Sequence, residues 1–461
     1  MTNLAVASLG RSESDAPLGG YDDLLEIFHS SEKPADEWRI GCESERFGVD
    51  AASGQPLPYA GDRSVQTLFS RLEQGHGWEP RRESPGRPVI GLRRQSAFIT
   101  LEPGAQVELS GAPLPNVHAV RAEIDAHLRE LRAASRGMNL KWLATGFHPT
   151  ARLADLPQVP KQRYAIMREY FPAHGTGGLD MMSRTATVQA NFDYGSEEDA
   201  LRKLRVMLRL APLLNALTAN SPFAEGRRSG FASWRGDVWL RVDPERTGLI
   251  PALWTARRPG YRDYVEWALD AGMFLILRGG RVVANTGQSF RSFLKHGYFG
   301  YRATRADWKF HLNTLFPEVR LKNTIEVRCA DALPTELATA LAALLTGVLY
   351  DEGALAACEQ LMAPFDHTTV TSARPRLVRE GLRFHLGGVA VRQLAEQVIE
   401  FAQAGLARRG RLDGAGRDEG VLLSPLRDLV ARGRTPADQA ARGLPPSGAI
   451  DVAELIVRTE A

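Results

Sequence analysis

Residues 184–193 alternate between two kinds of side chain. Thr185, Thr187, Gln189 and Asn191 fall on one side of an extended chain, and Ala186, Val188, Ala190 and Phe192 on the other. The alternation predicts a strand with a buried apolar face. Its polar face is uncharged, whereas a strand facing water more usually carries Lys, Glu or Arg. Hydroxyls and amides suit contact with a ligand or a metal, although the pattern alone also describes an ordinary half-exposed strand. The same period of two recurs along the chain. Residues 38–48 read as a strand with Arg39, Gly41, Glu43 and Glu45 on one face. Residues 88–93 and 97–102 read as a hairpin joined through 94–96, and Pro103 and Gly104 turn the chain into a third strand over 106–110. That strand sets Gln106, Glu108 and Ser110 against Val107 and Leu109, and brings Glu102 and Glu108 to one end of the hairpin. Further strands are expected over 140–147, over 274–278 and 281–284 around Gly279 and Gly280, and over 324–328, where Glu326 and Arg328 alternate with Ile325 and Val327.

Helical spacing appears at 20–31, 114–136, from 161, from 196 to 219, over 261–270 and before 312. Ser196 followed by Glu197, Glu198 and Asp199 is an N-cap with acidic residues in the first turn. Residues 174–178 and 233–236 read as loops. Beyond Pro334 the chain is Ala- and Leu-rich helix with no expected strand, and residues 1–20 are small, polar and loose. The fold class is α+β: short antiparallel strands between residues 38 and 328, helices packed behind them, and an all-helical C-terminal region from about 334. No internal repeat is visible. At 461 residues the length permits two or three domains or one large one, and residues 21–461 are read as one.

Composition narrows the function. Hydrophobic content of 44% and charged content of 24% are those of an ordinary globular protein, and no apolar run approaches the roughly 20 residues of a membrane span. The N-terminus lacks a basic region followed by an apolar core, so secretion and membrane attachment are not expected. Cys42, Cys329 and Cys358 are far apart, which argues against a disulfide scaffold or a thiolate zinc site and for a reducing, cytoplasmic setting. A net charge of +3 is small, and Arg408, Arg409 and Arg411 sit in what reads as a Gly-rich loop without aromatics, so no nucleic acid is expected as partner. The glycines at 175, 177 and 178 form no Walker-type phosphate loop. No Ser/His/Asp or Cys/His set stands out, and Cys42 reads as packing.

The chemistry gathers on the polar face. Glu43, Glu45, Glu102, Glu108, Gln189, Asn191, Glu326 and Arg328 come from separate strands. Two carboxylates at i and i+2 on one strand face repel unless something positive lies between them. Mg²⁺ takes oxygen ligands and is commonly shared between carboxylates and the phosphates of a nucleotide, which arginines can grip in pairs of hydrogen bonds.

The blocks IGCESERFGV, ITLEPGAQVELSGAPL, GFHP, VPKQRYAIM, GLDMMSRTATVQANFDYGSE, ANSPFAEG, FPEVRLKNTIEVR and ARRG resemble glutamate–cysteine ligases of the plant and proteobacterial type, from about residue 38 to about 410. The resemblance implies a glutamine synthetase-like carboxylate–amine ligase with its active site on a curved antiparallel sheet. It implies ATP and Mg²⁺ as cofactors, and glutamate and cysteine as substrates of the first step toward glutathione. By the same resemblance the metal ligands are Glu43, Glu45, Glu102, Glu108 and Glu326, assisted by Gln189 and Asn191. Arg163 and Arg235 hold glutamate above Thr185, Thr187 and Met182, and Arg328 contacts the transferring phosphate. The chain departs from the plant pattern at 42–45, which reads Cys-Glu-Ser-Glu for Thr-Glu-His-Glu, and at 329–334, where Cys-Ala-Asp-Ala-Leu-Pro stands for Gly-Ala-Asp-Gly-Gly-Pro. The plant-type regulatory disulfides do not carry over to these three cysteines. Two other functions stay open, a γ-glutamyl ligase for another amine and a non-catalytic nucleotide or glutamate binder; the second would be expected to lose carboxylates. A monomer or a homodimer fits equally.

Overall fold

The computed structural model describes residues 16–279 and 281–461. Its centre is β1 (Ile40–Asp50), followed by β2 (Glu79–Arg82), β3 (Val89–Arg94), β4 (Ala97–Leu101), β5 (Val107–Ser110), β6 (Leu140–Leu143), β7 (Thr187–Phe192), β8 (Val319–Leu321) and β9 (Ile325–Asp331). Together they form an antiparallel sheet of nine strands in the order β8-β9-β7-β1-β5-β4-β3-β2, with β6 on the far half of β1. Alternation decides which residues share a face, and register decides which of them meet.

Register lines the polar residues into rows. One row runs Thr100, Glu108, Glu45 across β4, β5 and β1. The next runs Ser110, Glu43, Gln189, and the third Gly41, Asn191, Glu326, Arg320. A bulge between Val327 and Ala330 places Arg328 and Cys329 where the partner strand spends one residue, and so re-aims Arg328.

The main helices are α1 (Val117–Ala134), α2 (Gln162–Tyr170), α3 (Gly178–Arg184), α4 (Glu197–Leu217), α5 (Trp234–Trp239), α6 (Thr335–Leu349) and α7 (Val391–Arg409); α1, α4 and α6 pack against the sheet, while α2, α3 and α5 bring Arg163, Met182 and Arg235 to its polar face. Ser196 caps α4 by accepting from Asp199 N at 3.2 Å, as the sequence suggests, and Asn116 caps α1 through Ala119 N at 2.8 Å. The helix at Tyr261–Asp270 coincides with its expected span. Helix α4 packs on β9, and α6 packs on α1 and α7. No single helix among the described residues is long and apolar enough to cross a membrane.

Several local expectations are corrected. Strand β7 begins at Thr187, because residues 178–184 form α3 and Thr185 follows as its cap. Ser233 opens α5 rather than a loop, its hydroxyl accepting from Gly236 N at 2.9 Å. Beyond Pro334 a short hairpin, His385–Leu386 with Val389–Ala390, turns on Gly387 and Gly388. The β3–β4 turn has two residues, with Gln95 at φ 51°, and β6 stops at Leu143. Arg408 and Arg409 end α7 and pair with Asp351 and Glu419, so they form no basic loop cluster. Of the loose terminus, residues 1–15 lie outside the described residues, while Leu18 N donates to Ala303 O at 3.0 Å. The hairpin of Leu275–Arg278 and Arg281–Ala284 forms, with Gly280 of its turn outside the described residues.

Candidate active site

On the polar face of β1, β5, β7 and β9 lies a cavity lined by Glu43, Glu45, Glu102, Glu108 and Gln189, by Arg163, Arg235 and Arg328, and by Thr185, Thr187 and Met182. Eleven of the thirteen residues singled out in the sequence therefore share one space. The other two lie behind its wall: Asn191 donates to Glu43 Oε1 at 3.0 Å, and Glu326 is wholly buried.

Each carboxylate is positioned by its strand. Glu45 accepts from Thr187 N at 3.0 Å. Glu108 accepts from Thr100 Oγ1 and, at 3.0 Å, from Ser110 Oγ, its neighbours along the row and along the strand. Burial, then repulsion from Glu102 and Glu108, pushes Glu45 well above the usual carboxylate range, and burial with Glu43 and Glu102 pushes Glu108 up to about 8. No cation is paired with either acid among the described residues, and the charges of Arg235 and Arg328 offset only part of the rise at Glu45. Glu326 has the opposite setting. Burial alone would raise it, but Arg320, bonded at 2.8 and 2.9 Å, Lys322 at 2.8 Å and Arg328 outweigh that and hold it well below the usual range.

Arg235 is held by main chain, Arg163 and Arg328 by side chains. Arg235 donates to Arg328 O at 2.9 Å and to Cys329 O at 3.3 Å, and its charge faces Asp331 at 3.9 Å. Asp331 is itself fixed by Asn220 N at 2.8 Å, Ser221 Oγ at 2.7 Å and Ser233 Oγ at 2.8 Å. Arg163 lies over the Tyr164 ring at 4.9 Å, and Arg328 donates to Gln189 Oε1. The cavity thus offers an acidic wall to a cation and a basic wall to carboxylates or phosphate.

Whether the acidic wall fits a metal can be judged from its donors. They are hard oxygens, and burial with mutual repulsion raises two of them in pKa, which a bound Mg²⁺ would offset. As they stand, no three His, Cys, Asp or Glu side chains among the described residues converge on one point, so a bound ion must draw them inward.

The sequence reading passed over Gln106, Lys161, Arg320, Lys322 and Asp331. Gln106 Nε2 donates to Thr185 O at 2.8 Å and so ties β5 to the floor of the cavity. Lys161 donates to Leu101 O at 2.7 Å, and burial followed by Arg163 pushes it down to about 8. The alternation of Arg320 between Val319 and Leu321 was the available signal for a third cation beside Glu326.

A family model described as glutamate-cysteine ligase family 2 (GCS2) matches residues 39–450. The chloroplastic glutamate–cysteine ligase of Medicago truncatula is 38% identical over 420 residues, covering 90% of this chain and 80% of that one. That of Brassica juncea is 39% identical over 420 residues, covering 90% and 79%. The chain also superposes on a glutamate–cysteine ligase of Francisella tularensis, solved in complex with AMP, with a TM-score of 0.54 at 12% identity over 93% of this chain and 88% of the other. That likeness is one of fold. The family model and these relatives define a ligase. More narrowly, the chain belongs to glutamate–cysteine ligase family 2, whose reaction yields γ-glutamylcysteine on the way to glutathione.

The expectation of a cytoplasmic protein does not stand. The relatives that match nine-tenths of the chain are chloroplastic enzymes, and three unpaired cysteines do not distinguish the two compartments.

Proposed function

We propose that this protein joins the γ-carboxylate of glutamate to the amine of cysteine, using ATP and Mg²⁺, by way of γ-glutamyl phosphate. The observation that carries the reading is the gathering of Glu43, Glu45, Glu102 and Glu108 with Arg163, Arg235 and Arg328 around one cavity. A γ-carboxylate is a poor acylating agent at neutral pH, so its oxygen must first be made a leaving group by phosphorylation; cysteine's amine then displaces phosphate. Arg163 and Arg235 bind the glutamate carboxylates, and Thr185, Thr187 and Met182 shape the floor beneath. Arg328 neutralises charge on the transferring phosphoryl group. Glu43, Glu45, Glu102 and Glu108, with Gln189, would hold Mg²⁺, while Glu326 and Asn191 act from behind the wall. When bound, Mg²⁺ screens the phosphate oxygens and the clustered carboxylates alike. The AMP bound to the Francisella enzyme supports an adenine nucleotide as the phosphoryl donor. One buried cluster takes in residues from Leu24 to Val430, which supports residues 21–461 as a single catalytic unit.

The test is direct. Purified protein with Mg²⁺, ATP and glutamate should release ADP when cysteine is added and form γ-glutamylcysteine. If another amine accelerates ADP release more than cysteine does, the acceptor is wrong; if no amine does in a folded preparation, the ligase reading is.

A further inference from the structure

Arg235 also borders a second and much smaller cavity of about 20 Å³, lined by Asn215 of α4, Arg235, Gly236 and Trp239 of α5, Val378, and Glu318 and Arg374, which pair with each other. Three buried polar atoms of its lining have no hydrogen-bond partner among the described residues: Arg235 Nε, Trp239 Nε1 and Asn215 Oδ1. Elsewhere these side chains are satisfied. Asn215 Nδ2 donates to Cys329 O at 2.9 Å, the same oxygen that Arg235 Nη1 reaches at 3.3 Å. That bond fixes the amide, because only its nitrogen can donate to a carbonyl, and so turns Oδ1 the other way. Residue 236 must be small for the elements to meet here. A Cβ on Gly236 would lie 2.6 Å from Val378 Cγ1 and 3.0 Å from Asn215 Oδ1.

The three orphaned atoms specify their guest. Two are N–H donors and one is an acceptor, so the guest must accept twice and donate once. An anion cannot donate to Asn215 Oδ1, and a metal cation cannot accept from Arg235 or Trp239. Water does both, and a space of this size holds about one water, which needs roughly 10–15 Å³. Leaving three buried polar atoms unpaired would cost far more than ordering one water.

We infer that this cavity is a built water site linking Asn215 and Trp239 to Arg235 Nε, and that Asn215 and Trp239 are positioning residues for the guanidinium that binds glutamate. Resting on the proposed role of Arg235, the inference adds a second anchor to it. Main-chain oxygens hold its Nη1 and Nη2 ends, and the water holds Nε, so the guanidinium plane cannot rotate out of line with a carboxylate.

Two measurements test it. A crystal structure of the full chain at a resolution that shows solvent should contain one density peak within hydrogen-bond reach of all three atoms. An empty cavity, or three atoms satisfied by one another, overturns the site. In steady-state assays, Asn215→Leu should raise the glutamate KM about tenfold with less than a twofold change in kcat or in the ATP KM. Trp239→Phe keeps an aromatic side chain but removes the N–H with part of the indole, so it should move the glutamate KM in the same direction even if the Asn215 variant does not fold. Arg235→Met serves as the control and should raise that KM about a hundredfold. If Arg235→Met leaves it unchanged, the role of Arg235 in glutamate binding is wrong, and the density alone decides the water site. If Arg235→Met raises it while Trp239→Phe and Asn215→Leu do not, the positioning role fails and the binding role survives.

Discussion

Glu45 and Glu108 face each other directly across β1 and β5, each about nine-tenths buried, with no cation bonded to either among the described residues. Like charges in directly opposed strand positions destabilise a sheet by roughly 0.2–1 kcal/mol, and burial magnifies the effect. The arrangement is therefore poised against the metal-free protein.

The first prediction concerns this pair. The folded pKa of Glu108, about 8, lies above that of an unfolded glutamate, so the folded state holds a proton that the unfolded state has released. That contribution is fully present at acid pH and is lost as pH rises toward 8. Mg²⁺ should raise the melting temperature of the protein more at pH 8 than at pH 6, since only ionised carboxylates bind it. Glu108→Gln should melt higher than the parent without Mg²⁺ and gain little from it. Calorimetric scans at both pH values decide this; an equal Mg²⁺ effect in variant and parent would remove Glu108 from the ion's site.

The second prediction separates the two faces of β9. Arg328 opens on the cavity while Ile325 is wholly buried. Arg328→Gln should lower kcat by about 10² to 10³, as loss of one electrostatic donor does, with a smaller change in glutamate binding. Folding should survive, because Glu326 keeps Arg320 and Lys322. Ile325→Asn buries an unpaired amide and should cost about 1–3 kcal/mol of stability. Normal turnover in the first variant, or a parental melt in the second, would reverse the faces assigned to this strand.

The difference between what was legible and what was not follows the range of the interactions. The alternation of Glu43 with Ser44 and Glu45, and of Glu326 with Ile325, is local, and the face each residue takes is readable from it. That Glu45 meets Glu108 depends on register between strands far apart in the chain, which no period encodes, whereas Glu326 meets Arg320 six residues away across a tight turn. The outcome differs accordingly: Glu326 is bonded to cations and held below the usual carboxylate range, while Glu45 in the other row is raised by burial and by its acidic neighbours. Helices α3 and α5 span seven and six residues, too short for a helical period to emerge, and only the Ser233 cap marks α5 in the sequence.

The third prediction tests the intermediate. A sulfoximine analogue of glutamate presents a tetrahedral centre with an acceptor atom where the γ-carboxylate would be phosphorylated. If the acyl phosphate forms, preincubation with ATP and Mg²⁺ should convert the analogue into a slow, tight inhibitor by phosphorylating it in place. Inhibition of equal depth without ATP would mean that glutamate is not activated by phosphoryl transfer.

The last prediction reads stability at acid pH from three histidines remote from the carboxylate wall. His127, His148 and His311 are essentially buried, and burial first, aided by nearby arginines, pushes each down to about 3. For His127 those arginines are Arg46 and Arg94, and neither of its ring nitrogens has a partner among the described residues. An unfolded histidine titrates near 6.5, so between about 6.5 and 3 the unfolded chain takes up protons that the folded one refuses. The contribution is complete above pH 6.5 and is lost as pH falls, at a rate of about 1.4 kcal/mol per unit for each histidine. At pH 5 each should have withdrawn about 2 kcal/mol, a large share of the 5–15 kcal/mol of a typical domain. His127→Phe should therefore remove about 2 kcal/mol of the histidine contribution lost by pH 5, while His148 and His311 keep theirs. At pH 7 it should cost little, because it removes two unsatisfied nitrogens from an apolar layer along with the ring they belong to. Urea melts of both proteins at pH 5, 6 and 7 supply the slopes. Parallel lines would mean that His127 already titrates in the folded protein and that its burial is not what resists the proton.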